Sequence, residues 1–275
     1  MIAFRAFATT AHRAPEQGSS LYTDTHCHLE MLDVPPGEAV ENARAARVET
    51  LLTVGVDLAS SAECVGTAAA FDGVWAVVGI HPHNAIEATD HVLGHLAELA
   101  RHPSVVAIGE TGLDYFRDHS PRVRQEEAFR EQIRLATELD LALVIHVRDA
   151  HEDLLEILED EGAPERTVFH CFSGDAEFAK RCAEAGWYMS FAGNITFRNA
   201  PALREAARVA PLELILTETD APYLSPHPHR GKPNEPARIP LIVEELADVH
   251  GVATFELGRQ TTANARRAFA LDDRT

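Results

Sequence analysis

Eight short runs rich in Val, Ile, Leu and aromatic residues recur along the chain, and helix-like segments separate them. The runs are LYTDTH, TLLTVGV, VWAVVGI, VVAIGE, LALVIHV, TVFHCF, WYMSFAG and LELILTETD. Many lack alternation of polar and apolar residues, which is typical of parallel strands buried on both faces. Eight strand–helix units within 275 residues predict an α/β fold in which a single domain forms a (β/α)8 TIM barrel. An open doubly wound sheet is the alternative.

The segments between the runs carry helical patterns. In PRVRQEEAFREQIRLATELD, apolar residues recur at helical spacing and predict a buried stripe. This predicted stripe includes Val123, Ala128, Ile133 and Leu135. Two more helices are predicted after the last strand, at about residues 236–250 and 254–269.

The first twenty residues, MIAFRAFATTAHRAPEQGSS, contain Arg but no continuous apolar stretch. We expect residues 1–20 to form a flexible N-terminal extension and residues 21–275 to form the barrel domain. No apolar run is long enough to cross a bilayer, and the four cysteines show no C-x-x-C spacing. These features favour a protein of the reducing cytoplasm that does not enter a membrane.

The formal net charge is −19, which argues against a broad electrostatic surface for nucleic acid. A nucleic-acid substrate that metal ions hold locally remains compatible with this charge. A basic rim built from Arg148, Arg198, Arg230 and Lys232 would favour DNA as the substrate. A narrow acidic mouth would instead favour a small substrate.

Six potential metal ligands occur at the carboxyl ends of five predicted strands. They are His26, His28, Glu110, His146, His170 and Asp220. Each alone has an ordinary structural explanation, such as a hydrogen-bonded core histidine or a helix cap. In a barrel, however, these ends meet at one rim, and burying so many ionisable groups together is unfavourable unless cations compensate. Six ligands exceed the need of one tetrahedral zinc and suit two divalent ions.

The chain also carries the motifs DTHCHLE, VVGIHPHNA, VVAIGETGLDYF, VIHVRDA, FHCFSG, LTETDAPYL and RGKPNEP in this order. With these motifs, which span about residues 21–269, it resembles the TatD-type metal-dependent deoxyribonucleases among the amidohydrolase-like TIM-barrel hydrolases. The resemblance implies that the six residues are metal ligands. The implied sets are His26, His28 and Asp220 for one ion, His146 and His170 for another, and Glu110 for both. Neither Lys180 nor Lys232 lies at a predicted strand end, so Glu110 is a better bridge than a carboxylated lysine.

The activity implied by the resemblance is hydrolysis of phosphodiester bonds at DNA ends, including single-stranded ends, as a 3'-5' exonuclease. Two ions would activate a water molecule, with Asp220 as the general base and Glu110 and His81 as further catalytic groups. The imidazoles favour Zn²⁺ or Mn²⁺, whereas the resemblance implies Mg²⁺. The alternatives are a hydrolase of another ester or amide, such as an aminoacyl-tRNA deacylase or a small phosphoesterase, and a nonenzymatic metal-binding protein.

Candidate substrate contacts lie in the loops after the strands. His81 and His83 follow the third strand, and loop packing is their ordinary explanation; by resemblance, His81 contacts a phosphate or donates a proton to the leaving oxygen. The other candidates are Tyr115, Arg148, Asn194 and Arg230.

Residues beside the ligands have alternative roles. Arg148 is either a phosphate contact or an ion-pair partner of Asp149 or of another nearby acid. Asp24 is predicted to be a hydrogen-bond partner of a ligand histidine, and Asp114 to orient Glu110 or line the pocket. We expect a monomer without an obligate protein partner.

Overall fold

The structure is a computed structural model that describes residues 22–274, so the predicted extension at residues 1–20 lies outside the described residues. Within residues 22–274 there are eight β-strands and nine α-helices. The strands are β1 (Tyr22–Cys27), β2 (Val48–Val54), β3 (Val74–Val78), β4 (Val105–Asp114), β5 (Ala142–Arg148), β6 (Thr167–Phe169), β7 (Tyr188–Phe191) and β8 (Ile215–Thr217). The helices are α1 (Pro36–Ala45), α2 (Leu58–Ala70), α3 (Asp90–Ala100), α4 (Arg122–Glu138), α5 (His151–Glu161), α6 (Ala176–Glu184), α7 (Pro201–Val209), α8 (Ile239–His250) and α9 (Thr254–Ala268).

The eight strands form one parallel sheet in sequence order, from β1 to β8. Backbone hydrogen bonds then join the two ends of the sheet. The Asp220 N–H donates to the His26 carbonyl at 2.9 Å, and the His28 N–H donates to the Ala221 carbonyl at 2.8 Å. The predicted TIM barrel is therefore confirmed, because a doubly wound sheet would place its first strand in the middle.

Consecutive strand residues alternate between two apolar clusters, because side chains of a strand point to opposite faces. Leu51 belongs to a cluster shared with the surrounding helices, and Leu52 belongs to a second cluster. The second cluster also contains Phe269 and Leu271, which follow α9. In the described part of the chain, no helix combines the length and apolar content needed to cross a membrane.

The buried face of α4 differs from the predicted stripe. Val123 is 57% exposed, so its predicted place in the stripe is wrong. The buried face instead includes Gln125 and Gln132. Gln125 accepts a hydrogen bond from the Asp114 N–H at 2.8 Å, and Gln132 donates to Thr111 Oγ1 at 2.7 Å. The buried side-chain amides of α4 therefore hold the second half of β4 in place by hydrogen bonds.

The pairing between β4 and β5 becomes irregular between Ile108 and Thr111, where β4 contains one extra residue. Such a bulge bends a strand and redirects a side chain. Gly109 precedes Glu110 in this bulge with φ +153°, a conformation that favours glycine. Glycine at this position thus lets the backbone adopt the conformation that carries Glu110.

Candidate metal centre

Glu110 is buried at the carboxyl end of the barrel, and five imidazoles surround its carboxylate. The nitrogen–oxygen distances run from 2.7 to 3.9 Å. The five rings belong to His26, His28, His81, His146 and His170. Residues from β1, β5 and the loops after β3 and β6 thus meet at one carboxylate of β4.

The two oxygens of the Glu110 carboxylate face different imidazoles. Oε2 lies 3.5 Å from His26 Nε2 and 3.9 Å from His28 Nε2. Oε1 lies 2.8 Å from His146 Nδ1 and 2.7 Å from His170 Nε2. The carboxylate therefore lies between two groups of nitrogen donors.

Asp220 reaches the same cluster from the segment after β8. Its Oδ1 lies 3.7 Å from His28 Nε2. Three potential ligand atoms, one each from Asp220, His26 and His170, also lie within 4.8 Å of one another. All six predicted ligands are thus brought together at one end of the barrel.

The charges of the cluster depend on one another. Burial alone would raise the pKa of Glu110, but the neighbouring imidazoles, led by His170 and His81, hold it well below its usual value. Burial likewise opposes the charged form of His170, yet Glu110 and Glu218 raise its pKa well above the usual value. Glu110 is therefore ionised, and positive charge gathers around it.

Two imidazoles are held with one nitrogen turned towards the cluster. The Nδ1 atom of His28 lies 2.8 Å from the Val54 carbonyl oxygen, which can only accept, so Nδ1 carries the proton. Nδ1 of His170 lies 3.3 Å from Glu218 Oε1 and donates to it. In the neutral rings, both Nε2 atoms keep a free lone pair, as a metal ligand requires.

His26 supplies a direct test of whether the cluster fits cations. It is completely buried, and neither of its ring nitrogens makes a hydrogen bond to the described residues. Buried polar atoms without partners are unfavourable, whereas a divalent cation beside Nε2 would satisfy one of them. The combination of imidazole nitrogens and carboxylate oxygens suits Zn²⁺ or Mn²⁺.

His81 differs from the other four rings. Its Nδ1 accepts a hydrogen bond from the His83 N–H at 3.1 Å, so the neutral ring carries its proton on Nε2. That Nε2 lies 3.3 Å from Glu110 Oε1. Burial lowers the pKa of His81 to about 4, against the smaller opposing effect of Glu110. At neutral pH, His81 is therefore an uncharged hydrogen-bond donor directed into the cluster.

Sequence reasoning missed Glu218. This fully buried side chain lies behind His170, and its Oε1 also accepts a hydrogen bond from the Cys171 N–H at 2.8 Å. The available signal was the spacing in TETD, where Glu218 precedes Asp220 by two residues at a strand end.

Asp114 lies between two histidines rather than beside Glu110. Its Oδ2 is 2.9 Å from His83 Nε2 and 3.3 Å from His146 Nε2. The structure therefore gives Asp114 a part in orienting these two rings.

The prediction that Asp24 is a hydrogen-bond partner of a ligand histidine is confirmed for His26, although the bond involves the backbone and not the ring. Its carboxylate accepts hydrogen bonds from the backbone N–H groups of His26 and Thr219, at 3.3 and 2.9 Å. It also accepts from Thr219 Oγ1 at 2.5 Å. Asp24 thus holds the backbone of β1 against the segment after β8.

Two predicted substrate contacts differ in their hydrogen bonding. The Tyr115 hydroxyl donates to Glu126 of α4 at 3.0 Å. Asn194 lies in the turn after β7, and its Oδ1 is buried without a hydrogen-bond partner in the described region.

The four residues that would form a basic rim are exposed and lie at or after the carboxyl ends of β5, β7 and β8. In the region that the structure describes, none of the four forms an ion pair with a carboxylate; they are Arg148, Arg198, Arg230 and Lys232. Of the alternatives for Arg148, the ion pair with Asp149 or another acid is therefore not formed in the described residues. Instead, the Arg148 guanidinium lies 3.8 Å from the centroid of the Phe116 ring.

Comparisons with known proteins agree with this geometry. The family model described as TatD related DNase matches residues 23–270. An uncharacterized metal-dependent hydrolase, YabD of Bacillus subtilis, is 42% identical over 252 residues, covering 90% of this chain and 99% of YabD. A 3'-5' ssDNA/RNA exonuclease TatD of Klebsiella pneumoniae is 38% identical over 242 residues, covering 86% of this chain and 92% of that protein. The crystal structure of YJJV, a TatD homolog from Escherichia coli K12, superposes with a TM-score of 0.86 at 29% identity, covering 91% of this chain and 98% of that chain.

Proposed function

This chain belongs to the TatD-related DNase family of metal-dependent hydrolases, and we propose that it uses two divalent ions to shorten nucleic-acid strands from the 3' end. The observation that carries the two-ion proposal is the division of imidazoles between the oxygens of Glu110. His26, His28 and Asp220 would hold one ion, His146 and His170 the other, and Glu110 would bridge them.

When bound, the two ions would lower the pKa of a water molecule and polarise a phosphoryl oxygen. Asp220 is our candidate for the general base, because its carboxylate is at the edge of the cluster and is only partly buried. It would accept a proton as the water attacks phosphorus. Glu110, surrounded by imidazoles, is less accessible for this role.

His81 would hold the substrate rather than a metal ion. Its Nε2–H points at the cluster, and its low pKa keeps the ring neutral at neutral pH. A neutral imidazole is a hydrogen-bond donor to a phosphoryl oxygen and a very weak proton donor to a leaving group. Of its two predicted roles, we therefore favour phosphate contact.

Two observations support a nucleic acid as the substrate. Relatives from Klebsiella pneumoniae and Cronobacter turicensis, each 38% identical, carry the name 3'-5' ssDNA/RNA exonuclease. The rim cations, which include Arg148 and Arg230, are exposed, lie at or after the carboxyl ends of strands and form no ion pair in the described residues. They would offer local positive charge to a phosphate backbone in a chain of net charge −19.

The test is cleavage of single- and double-stranded DNA and RNA labelled at the 5' end, by protein stripped of metal and then titrated with Mg²⁺, Mn²⁺ or Zn²⁺. We expect a metal-dependent ladder of shortened strands that disappears in Asp220→Asn. Bound metal with intact strands would overturn the nuclease proposal. Activity would then be sought on aminoacyl esters and small phosphoesters, and inactivity on all of them would favour a binding protein.

We also propose that the protein works as a monomer in the reducing cytoplasm. Its four cysteines are all free thiols, as that compartment requires. Sedimentation of the metal-loaded protein tests the first part, and fractionation of cells that produce it tests the second.

A further inference from the structure

Exposed apolar side chains are concentrated at the rim that surrounds the metal centre. In the described residues, six large apolar side chains are exposed. Four of them lie in loops that follow strands; they are Met31, Ile86, Phe116 and Tyr223. Exposed apolar groups gathered around a polar site often mark a binding surface.

Phe116 is 55% exposed and lies two residues beyond Asp114, which contacts His146 of the cluster. Its backbone N–H donates to Asp114 Oδ1 at 3.0 Å, which fixes the base of the side chain. The Arg148 guanidinium covers the ring at 3.8 Å from its centroid. Arg148, which has no carboxylate partner in the described region, therefore forms a stacked pair with the ring, and the Arg117 guanidinium lies 5.7 Å from the same centroid.

Tyr223 is also 55% exposed and follows Asp220 in the segment after β8. Its N–H donates to the Asp220 carbonyl at 2.8 Å, and its ring centroid is 6.2 Å from that of His28. The ring is therefore anchored beside the cluster while much of its surface remains in solvent.

The two rings lie on opposite sides of the barrel mouth. Phe116 and Arg148 follow β4 and β5, whereas Tyr223 follows β8, which neighbours β1. In a barrel of eight strands arranged in sequence order, these positions are half a turn apart. The metal centre consequently lies between them.

We propose that Phe116 with Arg148, and Tyr223, are two stacking platforms for unpaired bases of a single-stranded nucleic acid. Bases stack on aromatic side chains regardless of sequence, and an adjacent Arg contacts the backbone phosphates. Bases inside a duplex are already stacked on each other, so the platforms select single strands over blunt duplex ends. This inference rests on the proposed nuclease function and assigns its strand preference to particular residues.

Binding of a fluorescent single-stranded oligonucleotide in EDTA, followed by anisotropy, tests the platforms without cleavage. Loss of one stacked base corresponds to about 5- to 150-fold weaker binding. We expect this loss in Phe116→Ala and in Tyr223→Ala, and recovery in Tyr223→Phe. The matched control is Phe255→Ala, because Phe255 is an exposed ring on α9 with the Arg259 guanidinium at 5.9 Å from its centroid.

Kinetics on three substrates separate the possible failures. With metal, the alanine variants should raise KM for a single strand by a similar factor and leave KM for an abasic strand of the same length unchanged, since that strand has no base to stack. Bis(4-nitrophenyl) phosphate, a small ester, separately reports whether the metal centre is hydrolytic. If wild-type protein cleaves single strands and the two variants match Phe255→Ala, the platforms are refuted while the nuclease proposal stands. If wild-type protein hydrolyses the small ester but neither binds nor cleaves strands, both proposals fail.

Discussion

Replacing Glu218 by Gln should weaken metal binding about tenfold while the barrel stays folded. Glu218 Oε1 faces His170 Nδ1 at 3.3 Å and accepts from the Cys171 N–H at 2.8 Å. The oxygen of a Gln side chain can accept both hydrogen bonds in the same place. The other oxygen, Oε2, makes no hydrogen bond to the described residues, so an amide nitrogen there displaces no partner.

The expected magnitude comes from the charge that the substitution removes. A hydrogen bond to a charged group contributes about 1.5–3 kcal/mol, against about 0.5–1.5 kcal/mol for a neutral bond. The difference of about 1–1.5 kcal/mol corresponds to about 5- to 12-fold in affinity. Removing a hydrogen-bond partner of a metal-binding histidine lowers metal affinity by about 10- to 100-fold. Glu218→Ala removes the hydrogen bond entirely, so its loss of metal affinity should be nearer the upper limit.

The assay is calorimetric titration of metal-free protein with Mn²⁺, together with the thermal unfolding midpoint of each variant. Glu235→Gln is the matched control, because Glu235 pairs with Arg238 at 3.6 Å and touches no ring of the cluster. His170→Ala shows how far affinity can fall at this position. Equal affinity in wild type and Glu218→Gln, alongside a large loss in His170→Ala, would refute the role of Glu218 in holding the ring.

Four further perturbations test other parts of the site. Glu110→Ala should lower metal content and activity with an unchanged circular dichroism spectrum. The loss should exceed the about 10- to 100-fold loss of metal affinity expected when a hydrogen-bond partner of a ligand is removed. Metal content equal to that of the wild type would contradict the bridging role. His81→Asn should lower kcat by about 10²- to 10³-fold with metal content unchanged. Burial lowers the pKa of His81 to about 4, so its ring remains a neutral hydrogen-bond donor above that pH. The pH–rate profile of the variant should therefore have the same shape as that of the wild type at higher pH. Loss of one slope of that profile would show that His81 titrates in this range. Nearby carboxylates raise the pKa values of His170, His28 and His146, so metal must displace protons from these rings. Mn²⁺ affinity should therefore rise with pH, and titrations in buffers of different ionisation enthalpy should show release of at least one proton. Gly112→Ala should destabilise the fold by at least about 1–3 kcal/mol in urea unfolding, because Gly112 has φ +136° and an added Cβ would lie 2.0 Å from the His146 carbonyl oxygen; an unchanged midpoint would show that β4 relaxes.

The position of the ligands was predictable because it follows from strand direction alone. Parallel strands of a barrel end at one rim, so residues as distant in sequence as His26 and Asp220 were expected to meet there. Their proximity needed no knowledge of which strands pair or in what register.

The contacts behind the ligands were not predictable in the same way. Strand alternation gives the face on which Asp24 or Glu218 lies, but not the neighbour across the barrel. That neighbour depends on the register between strands, which the pattern of residues does not give. Asp24 meets the backbone N–H groups of His26 and Thr219, and Glu218 meets the ring of His170.

The face of α4 was predicted incorrectly for a different reason. Hydrophobic patterns assign Gln125 and Gln132 to the solvent, although both are buried and bond to β4 and its flanking loops. Polar side chains that satisfy backbone groups at strand ends are invisible to such patterns. Val123, at the first turn of the helix, was therefore placed in a stripe that it does not join.

The joining of β1 to the segment after β8 also sets the order in which the site is completed during protein synthesis. His26 and His28 leave the ribosome among the first residues of the barrel, yet their backbone partners are Asp220 and Ala221. A chain translated as far as His170, just after β6, holds five of the six proposed ligands but lacks the backbone partners that close the ring. Completion of the proposed metal centre thus coincides with completion of the last strand, and a product terminated before it would lack Asp220, the proposed general base.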